Sequence, residues 1–466
     1  MPGKKDALVS SILLIAMLTS ILVGSPAAGA PAGRTRPNIV FVLIDTLRPD
    51  HLGCYGYGRE TSPRIDRIAA TGVTFGRFYS VCPWTDPTIA TLFTGLYPQA
   101  VLPPAPHAEA IEQKLPLKLD TLAEILHREG YRTVAVVDHP GINAGRHFDQ
   151  GFDDYISLSK KLGWHKWVGS APEAVFEEFT AVLERSGNAP VFLYVHLVYP
   201  HRPYTPKPPF EGMFGPGFTK PVSEERQGAI NSYDAEIRMT DELVGKMHDY
   251  LANNGLLDDT YVLITSDHGE GFWEHGRGEH GNTLFNELLW VPLIVCPPRA
   301  MDIEPGTVNA LLSNIDLFPT VLDAVGIGIP GPIDGESLLP FLSGAGGPAG
   351  DRVLFSESPH SRIVYGMACQ TEKHKLIVAA SEAIDDWTAL RRDTGLGNMW
   401  LFFDLRNDPL EMQNHAGAVS ATALDLEKAL VTHKAQVDAR RKTIDLETEP
   451  VDERTREQLR SLGYVD

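Results

Sequence analysis

The sequence has few cysteines and lacks a positive charge balance, and each of these features excludes a class of protein. Only 4 of the 466 residues are cysteine, and no two of them form a CxxC pair. A dense disulfide scaffold or a CxxC zinc site is therefore excluded, although one or two disulfides are still allowed. The formal charge of -19 at pH 7 disfavours a nucleic-acid binder. An anionic substrate would have to meet local cations or a metal ion.

The N-terminal segment has the composition of an export signal. Lys4 and Lys5 precede an apolar run from Ala7 to Val23, and Ala28 to Ala30 is a small-residue cleavage site. The run is interrupted by polar residues and is short for a membrane span, so cleavage is favoured over an uncleaved anchor. The sequence predicts a signal peptide at residues 1–30 and an exported protein, periplasmic or extracellular, with a membrane-anchored form as the alternative.

Apolar runs rich in β-branched residues recur along the chain. The first, Asn38 to Ile44, is typical of a strand buried on both faces of a parallel sheet. The later runs are Thr133 to Val137, Val191 to Val195, Tyr261 to Thr265 and Val291 to Val295. Helical patterns such as Leu119 to Glu129 and Tyr233 to Asn253 lie between them. This alternation predicts an α/β domain with a doubly wound, mostly parallel sheet flanked by helices.

The pattern changes after about Pro340, where a Gly-rich stretch is followed by shorter and more polar segments. The sequence therefore predicts a catalytic domain over residues 36–340 and a small C-terminal α+β subdomain over residues 350–466. Within that subdomain, Ala421 to Arg441 has apolar residues at helical spacing and is predicted to pack as an amphipathic helix.

Carboxylates and imidazoles follow four of the predicted strands. Asp45 follows the first strand, Asp138-His139 another, His196 and His201 a third, and Ser266 to Glu270 a fourth. In open α/β sheets the ligand crevice lies beyond the carboxyl ends of the strands. Each residue taken alone has a structural explanation, as a helix cap or a buried histidine. Their joint occurrence predicts an oxygen and nitrogen site for a divalent ion.

The segment from Ser80 to Gly95 offers a nucleophile. Pro87 suits the first turn of a helix, Thr85 or Asp86 suits its cap, and Gly95 suits its end. Thr85 would then lie at a helix N-terminus, where backbone N–H groups favour a negative oxygen and a bound anion. On this segment alone, a role for Thr85 as a cap without catalysis is the favoured explanation.

With these residues placed, the chain resembles the sulfatases and sulfatase-like members of the alkaline phosphatase superfamily over nearly all of its mature length. The resemblance runs through PNIVFVLIDTLRPDHLGCYGY, ATLFTGLYP, FDQGFDDY, FLYVHLVYPHRPY, TYVLITSDHGEGFWEHG and NIDLFPTVLDAVGI, and it closes with LFFDLRNDPLEMQN and LRSLGYV. It implies a sulfatase-like fold and the hydrolysis of an anionic ester.

The resemblance also implies roles for individual residues. The implied metal ligands are Asp45, Asp267, His268 and the oxygen of Thr85. The groups that assist the leaving alcohol and hold the anionic ester fall on His201 and His280. His196 is predicted to contact the substrate or to act indirectly.

Two departures from the sulfatase pattern affect the expected chemistry, and the first concerns the nucleophile. Thr85 stands where sulfatases carry the Cys or Ser that is oxidised to formylglycine, and Ile89 stands where they carry an Arg. Threonine cannot become that aldehyde, so no formylglycine is expected and water must attack a covalent Thr85 intermediate. Cys82 lies 3 residues too early for this position. Arg48 is the predicted substitute for the missing Arg, with a surface role as the alternative.

The second departure is Thr46, which stands where sulfatases usually place a second Asp ligand. A site with one fewer carboxylate and with His268 suits Mn²⁺ or Zn²⁺ better than Ca²⁺, although all three ions are candidates. One divalent ion is expected. For a second ion, Asp138, His196 and His280 are candidate ligands.

These features together predict a sulfatase-family, metal-dependent hydrolase of a sulfate ester, a phosphodiester or a phosphonate monoester, carried on a small molecule, glycan or lipid. Thr85 would form a covalent intermediate, and His201 or His280 would protonate the leaving alcohol. The alternatives are a phosphotransferase that uses envelope or glycan acceptors and a non-catalytic, metal-stabilised binding protein. No nucleic acid and no obligate protein partner are expected.

Overall fold

The structure is a computed structural model that describes residues 36–103, 113–158, 169–217, 226–344, 346, 352–358, 365–380, 399–417 and 420–444. The predicted signal peptide and the terminal segment LRSLGYV lie outside the described residues. Among the helices within these ranges, none has both the length and the apolar composition that a membrane crossing requires.

The described strands are numbered in chain order. They are β1 (Asn38–Ile44), β2 (Val73–Phe75), β3 (Phe78–Tyr79), β4 (Arg132–Val137), β5 (Asp154–Ser157), β6 (Val191–Leu197), β7 (Thr260–Thr265), β8 (Gly271–Phe272), β9 (Gly278–Glu279), β10 (Leu293–Cys296), β11 (Gly306–Val308), β12 (Leu312–Ser313), β13 (Leu354–Ser358), β14 (Tyr365–Gln370), β15 (His374–Ala380) and β16 (Met399–Asp404).

The described α-helices are numbered in the same way. They are α1 (Pro63–Ala69), α2 (Thr85–Thr94), α3 (Pro98–Val101), α4 (Leu122–Arg128), α5 (Pro172–Arg185), α6 (Arg226–Asn253), α7 (Asn286–Leu289), α8 (Leu317–Ala324), α9 (Leu339–Leu342) and α10 (Ala421–Arg441).

An eight-stranded sheet in the order β11-β2-β10-β7-β1-β6-β4-β5 forms the centre of the fold. β1 is parallel to β6 and β7, and β4 is parallel to β5 and β6. β10 is antiparallel to both of its neighbours. The predicted doubly wound, mostly parallel sheet is confirmed. The run predicted as a strand from Val291 forms β10 two residues later, because Pro292 has no N–H to donate to a ladder of hydrogen bonds.

Both faces of this sheet are covered, which explains the unbroken apolar run of β1. Ile39, Phe41 and Leu43 lie in one hydrophobic cluster, together with side chains of α2, α4 and α8. The alternate residues of β1 lie in a second cluster, together with side chains of α5 and α6. Because successive side chains of a strand point to opposite faces, a strand between two helical layers must be apolar at every position.

A second sheet lies in the C-terminal part of the chain. Its four antiparallel strands have the order β13-β14-β15-β16. α10 packs against it, since Leu426 and Leu430 share a buried cluster with Leu376, Val378 and Phe402. The predicted helix from Ala421 to Arg441 therefore has the expected apolar face. The predicted domain boundary between residues 340 and 350 stays a prediction.

A partly buried polar network joins the C-terminal part of the chain to α7 and to the segment between β8 and β9. Lys375 Nζ lies 2.7 Å from a Glu411 carboxylate oxygen and donates to Asn286 Oδ1 at 2.9 Å. The backbone oxygen of Glu411 lies 3.1 Å from His275 Nε2, across 136 residues of sequence. No disulfide adds to this connection, because all four cysteines are free thiols. The disulfides that the sequence allowed are therefore not formed.

Candidate active site

The carboxyl ends of β1 and β7 bring the predicted metal ligands together. The two strands are parallel, and Leu43 is paired with Thr265. Asp45 follows β1 directly, and Asp267 and His268 come just after β7. One ligand atom from each of these three residues lies within 4.8 Å of the other two, and all three side chains are buried. Sequence positions more than two hundred residues apart are thus combined into one cluster.

The carboxylates of this cluster fit a divalent cation. Neither oxygen of Asp45, nor Oδ2 of Asp267, has a hydrogen-bond partner among the described residues. Burial, and then the nearby charges of Asp267 and Glu270, raise the pKa of Asp45 well above its ordinary value. Burial acts in the same direction on Asp267, but the imidazoles of His268 and His196 outweigh it and lower the pKa of that carboxyl. Buried carboxylates without partners are costly unless a cation neutralises them.

His268 is oriented as a nitrogen ligand. Its Nδ1 donates to the carbonyl oxygen of Gly269 at 2.8 Å, which leaves Nε2 as the ring nitrogen that faces the cluster. Nε2 lies 3.4 Å from Asp267 Oδ2 and 3.9 Å from Asp45 Oδ1. Thr46, where the resemblance implies a missing Asp ligand, donates its backbone N–H to Asp267 Oδ1 at 3.2 Å. Two carboxylates and one imidazole form a mixed oxygen and nitrogen set of candidate ligands for a divalent ion.

Thr85 is the first residue of α2, and its hydroxyl faces the metal-ligand cluster. The cap position is taken by Trp84, whose side chain makes no capping hydrogen bond. Thr85 Oγ1 lies 3.1 Å from His268 Nε2, and the residue is 1% exposed. A role for Thr85 as a helix cap alone is therefore disfavoured. α2 ends as predicted at Gly95, which has the left-handed φ of 69° that glycine adopts readily.

Four further histidines line the same site. The ring of His280 is 4.5 Å from that of His268 and 4.8 Å from that of His201, measured between centroids. His139 stacks on His196 at 5.3 Å. The Nε2 atoms of His139 and His196 lie 3.7 and 3.8 Å from Asp45 Oδ2, too far for direct hydrogen bonds.

The hydrogen-bond partners of His201 and His280 distinguish their roles. His201 Nδ1 donates to the carbonyl oxygen of Arg202 at 2.5 Å. Burial, and then the neighbouring His280, lower the pKa of His201 to about 3, so this ring is neutral near pH 7 and keeps a lone pair on Nε2. A ring with so low a pKa is a weak base, so His201 can accept a hydrogen bond on Nε2 but is a poor acceptor of a proton. His280 Nδ1 lies 3.2 Å from a carboxyl oxygen of the buried Glu270, within hydrogen-bonding distance.

Two other candidates from the sequence are engaged elsewhere. The Arg48 guanidinium donates to both oxygens of Asp50, to Glu274 and to the backbone oxygen of Glu270. It lines a cavity of about 550 Å³ whose walls include Arg226 and Glu274 but not the predicted metal ligands.

Asp138, a candidate for a second ion, accepts from the backbone N–H and the hydroxyl of Ser170. Burial, opposed by these hydrogen bonds, raises the pKa of Asp138 to about 6.

The structure adds two residues to which the sequence assigned no role. His139 joins the site from the carboxyl end of β4, and Glu270 joins it as the partner of His280. Both positions were visible as polar residues at strand ends, but only the structure shows that His139 lies near Asp45 and Glu270 near His280. The pairing of Arg48 with Glu274 had no such signal, since Glu274 is 226 residues away in sequence.

A mostly parallel α/β sheet with carboxylates, imidazoles and a buried hydroxyl at its carboxyl edge is the arrangement of a hydrolase of the alkaline phosphatase superfamily. The family model described as Sulfatase matches residues 37–327, and that described as N-sulphoglucosamine sulphohydrolase, C-terminal, matches residues 274–436. The chain belongs to the sulfatase family, as predicted. It is a sulfatase-like ester hydrolase with a candidate metal site at Asp45, Asp267 and His268.

Similar proteins cover nearly the whole chain. N-acetylglucosamine-6-O-sulfatase of Bacteroides thetaiotaomicron is 25% identical over 513 residues, which include 87% of each chain. Arylsulfatase A of Homo sapiens is 26% identical over 496 residues, covering 92% of this chain and 91% of the relative. The structure of phosphonate monoester hydrolase of Agrobacterium radiobacter has a TM-score of 0.68 at 22% identity, covering 86% of this chain and 96% of that one. The last comparison shows a shared fold.

Proposed function

We propose that this protein is a metal-dependent hydrolase of anionic esters in which Thr85 is the nucleophile. The observation that carries the proposal is the Thr85 hydroxyl, 3.1 Å from His268 Nε2 at the start of α2. Asp45, Asp267, His268 and Thr85 would hold one divalent ion, Mn²⁺ or Zn²⁺ before Ca²⁺. When bound, such an ion lowers the pKa of the hydroxyl and stabilises negative charge on the transferred group.

Thr85, the start of α2 and three histidines would act in successive steps of the reaction. The Thr85 oxygen attacks the sulfur or phosphorus atom, while the N-terminal N–H groups of α2 attract the anion. As the bond to the alcohol breaks, His280 gives its proton to the leaving oxygen. The His280 ring, now neutral, takes a proton back from the water that attacks the Thr85 ester, the bond to the Thr85 oxygen breaks and the anion leaves. His201 Nε2 accepts a hydrogen bond from that water and orients it. His196, whose Nε2 has no hydrogen-bond partner among the described residues, contacts an oxygen of the substrate.

The nucleophile bears on which ester is preferred. The relatives named above are sulfatases, and a phosphonate monoester hydrolase shares the fold. Thr85 lacks the aldehyde through which sulfatases release sulfate, so water has to attack the covalent intermediate directly. This requirement favours a phosphodiester or phosphonate monoester, with a sulfate ester as the second candidate. The name of the Bacteroides relative supports a sugar as the organic part of the substrate.

Export and the division into two domains are part of the same proposal. Residues 1–30 would be removed on export, leaving residues 36–340 as the catalytic domain and residues 350–466 as the smaller subdomain. Mass spectrometry of the protein recovered outside the cytoplasm should find a mature N-terminus close to Ala30. A full-length N-terminus on membrane-bound protein would support the anchored form instead.

A paired assay tests the catalytic proposal. Purified protein is loaded with Mn²⁺, Zn²⁺ or Ca²⁺ and given an aryl sulfate, an aryl phosphodiester and an aryl phosphonate monoester. Thr85→Ala should abolish turnover, whereas Thr85→Ser should keep part of it and Thr91→Ala, a matched change on the same helix, should keep most. Mass spectrometry of acid-quenched protein should find the transferred group on the peptide containing Thr85.

The other outcomes are distinct. Turnover that survives Thr85→Ala refutes the proposed nucleophile. Product that increases with added acceptor alcohol, as the transferred group moves to it, indicates a phosphotransferase. Cleavage of none of the three esters with any of the three metals supports a non-catalytic binding protein.

A further inference from the structure

Asp86, the residue after the proposed nucleophile, carries a carboxylate into the anion-binding end of α2. It is 4% exposed. After burial, Asp267 and Glu270, the charge of Asp86 is the next cause of the raised pKa of Asp45, so it acts on the metal-ligand cluster. A negative charge at this position opposes the attraction of the helix N-terminus for an anionic ester. Something must compensate it if the site is to bind an anion.

Arg146, which lies outside α2, compensates the negative charge of Asp86. It lies in a short 3₁₀ helix, Ala144–Arg146, in the chain segment after β4, and it is fully buried. Its Nη1 donates to Asp86 Oδ2 and also to the backbone oxygen of Gly141 at 3.1 Å. Its Nε donates to the backbone oxygen of Gln113 at 2.8 Å. The guanidinium is thus fixed on three sides, while Nη2 has no hydrogen-bond partner among the described residues.

The same contacts join two parts of the site. A Cβ atom at Gly141 would lie 2.9 Å from His139 Cε1 and 3.1 Å from Asp86 Oδ1. Asp86 and the segment that carries His139 are therefore in close contact, with no room for a larger residue at 141. Since Arg146 bonds both Asp86 and Gly141, it holds the start of α2, with Thr85, against the segment with His139.

We propose that Arg146 is a positioning residue that cancels the charge of Asp86 and thereby permits anion binding beside Thr85. The cation comes from the segment after β4, because α2 itself contains no basic residue. The inference rests on the proposed function only in requiring that the ligand be an anion. It makes Arg146 and Asp86 a pair whose two members have opposite effects on anion affinity.

Charge removal at the two positions tests this pair. Arg146→Met leaves Asp86 uncompensated and should weaken the binding of inorganic phosphate and sulfate on the order of 10- to 100-fold. Asp86→Asn leaves Arg146 uncompensated and should tighten their binding by about three- to tenfold. The double variant should bind both anions within about threefold of wild type. Arg146→Lys keeps the charge and should stay much closer to wild type than Arg146→Met.

The measurement is isothermal titration of metal-loaded protein with phosphate and sulfate, together with KM and kcat for the best ester. The matched control is Arg352→Met, which breaks another pair at a buried carboxylate, that with Asp316; it should lower the melting temperature without changing anion affinity. Arg146→Met should raise KM by about the same factor as it raises the anion dissociation constant. It should lower kcat by a smaller factor.

Each result has a defined meaning. If Arg146→Met and Asp86→Asn both weaken binding, or if both only lower the melting temperature as Arg352→Met does, the pair is purely structural and the inference is wrong. If Arg146→Met does not fold, the opposite signs expected for Asp86→Asn and for Arg146→Lys decide between the two explanations. If the metal-loaded wild type binds neither anion, it is the proposed function that fails.

Discussion

Asp45 offers a test of the metal site in which the protein without metal and the protein with metal should respond in opposite ways. Its two oxygens have no hydrogen-bond partner among the described residues, and Asp267 and Glu270 are the acidic neighbours that most raise its pKa. In the metal-free protein, Asp45→Asn removes a buried carboxyl group that costs free energy whether it stays ionised or takes up a proton. The variant should therefore be more stable than wild type when both are kept in chelator.

The expected gain in the free energy of unfolding follows from the cost of an unpaired buried carboxylate. Relief of this cost is worth about 2 kcal/mol after relaxation of the site. For a chain of this length, 1 kcal/mol corresponds to about 1 °C in melting temperature, so Asp45→Asn should gain about 2 °C in chelator. Metal at about a thousand times its dissociation constant should stabilise the wild type by about 4 kcal/mol, hence by about 4 °C, and the variant by far less.

Differential scanning calorimetry in chelator and in excess Mn²⁺ or Zn²⁺ measures both effects. The control is Asp316→Asn, because Asp316 is also fully buried but is paired with Arg352. That substitution should destabilise the protein in chelator and keep the response to metal. If Asp45→Asn behaves like Asp316→Asn, then the carboxylate of Asp45 is already satisfied without a cation, and the argument for a metal at this place is refuted.

Three further predictions concern the hydroxyl and the histidines. Thr85→Ala should lower kcat/KM by at least about a thousandfold in the ester assay while leaving the melting temperature within about 2 °C, since one hydroxyl is lost from an otherwise intact helix. His280→Gln should slow esters with poor leaving groups, such as alkyl alcohols, by about a hundredfold more than esters of nitrophenol, because only the former need a proton; His201→Gln should slow both alike. The pKa of His196 is lowered by burial to about 4 from 6.5, so the unfolded chain binds a proton that the folded chain does not, and stability is lost as the pH falls below 6.5. Between pH 7 and pH 5 this group should remove about 2 kcal/mol from the free energy of unfolding, and urea titrations of His196→Gln in chelator should show a correspondingly shallower dependence.

The fold was predictable where a single segment determines its own structure. β1 has the predicted limits because its apolar residues face a helical layer on each side of the sheet. The helix from Ala421 to Arg441 was likewise visible from its own spacing. The antiparallel direction of β10 was not predictable, because its run of apolar residues looks the same in a parallel strand.

The candidate site was predictable in its residues but not in its contacts. Strand-end positions and the family resemblance pointed to Asp45, Thr85, Asp267 and His268, which the structure brings together. Arg48 looked like a free cation in the sequence, yet its donors are taken by acidic partners, one of them far away along the chain. Pairing between distant residues depends on three-dimensional packing, and a single sequence contains no local signal for it.

The network of Lys375, Asn286, Glu411 and His275 has a consequence for the order of events during synthesis. The segment that carries His280 is bonded, through His275, to a carbonyl group that the ribosome adds 136 residues later. The ligand residues Asp45 and Asp267 leave the ribosome well before it. A fragment that stops after β12 lacks Glu411, so it cannot form this bond, and we expect it to be less active than the full chain.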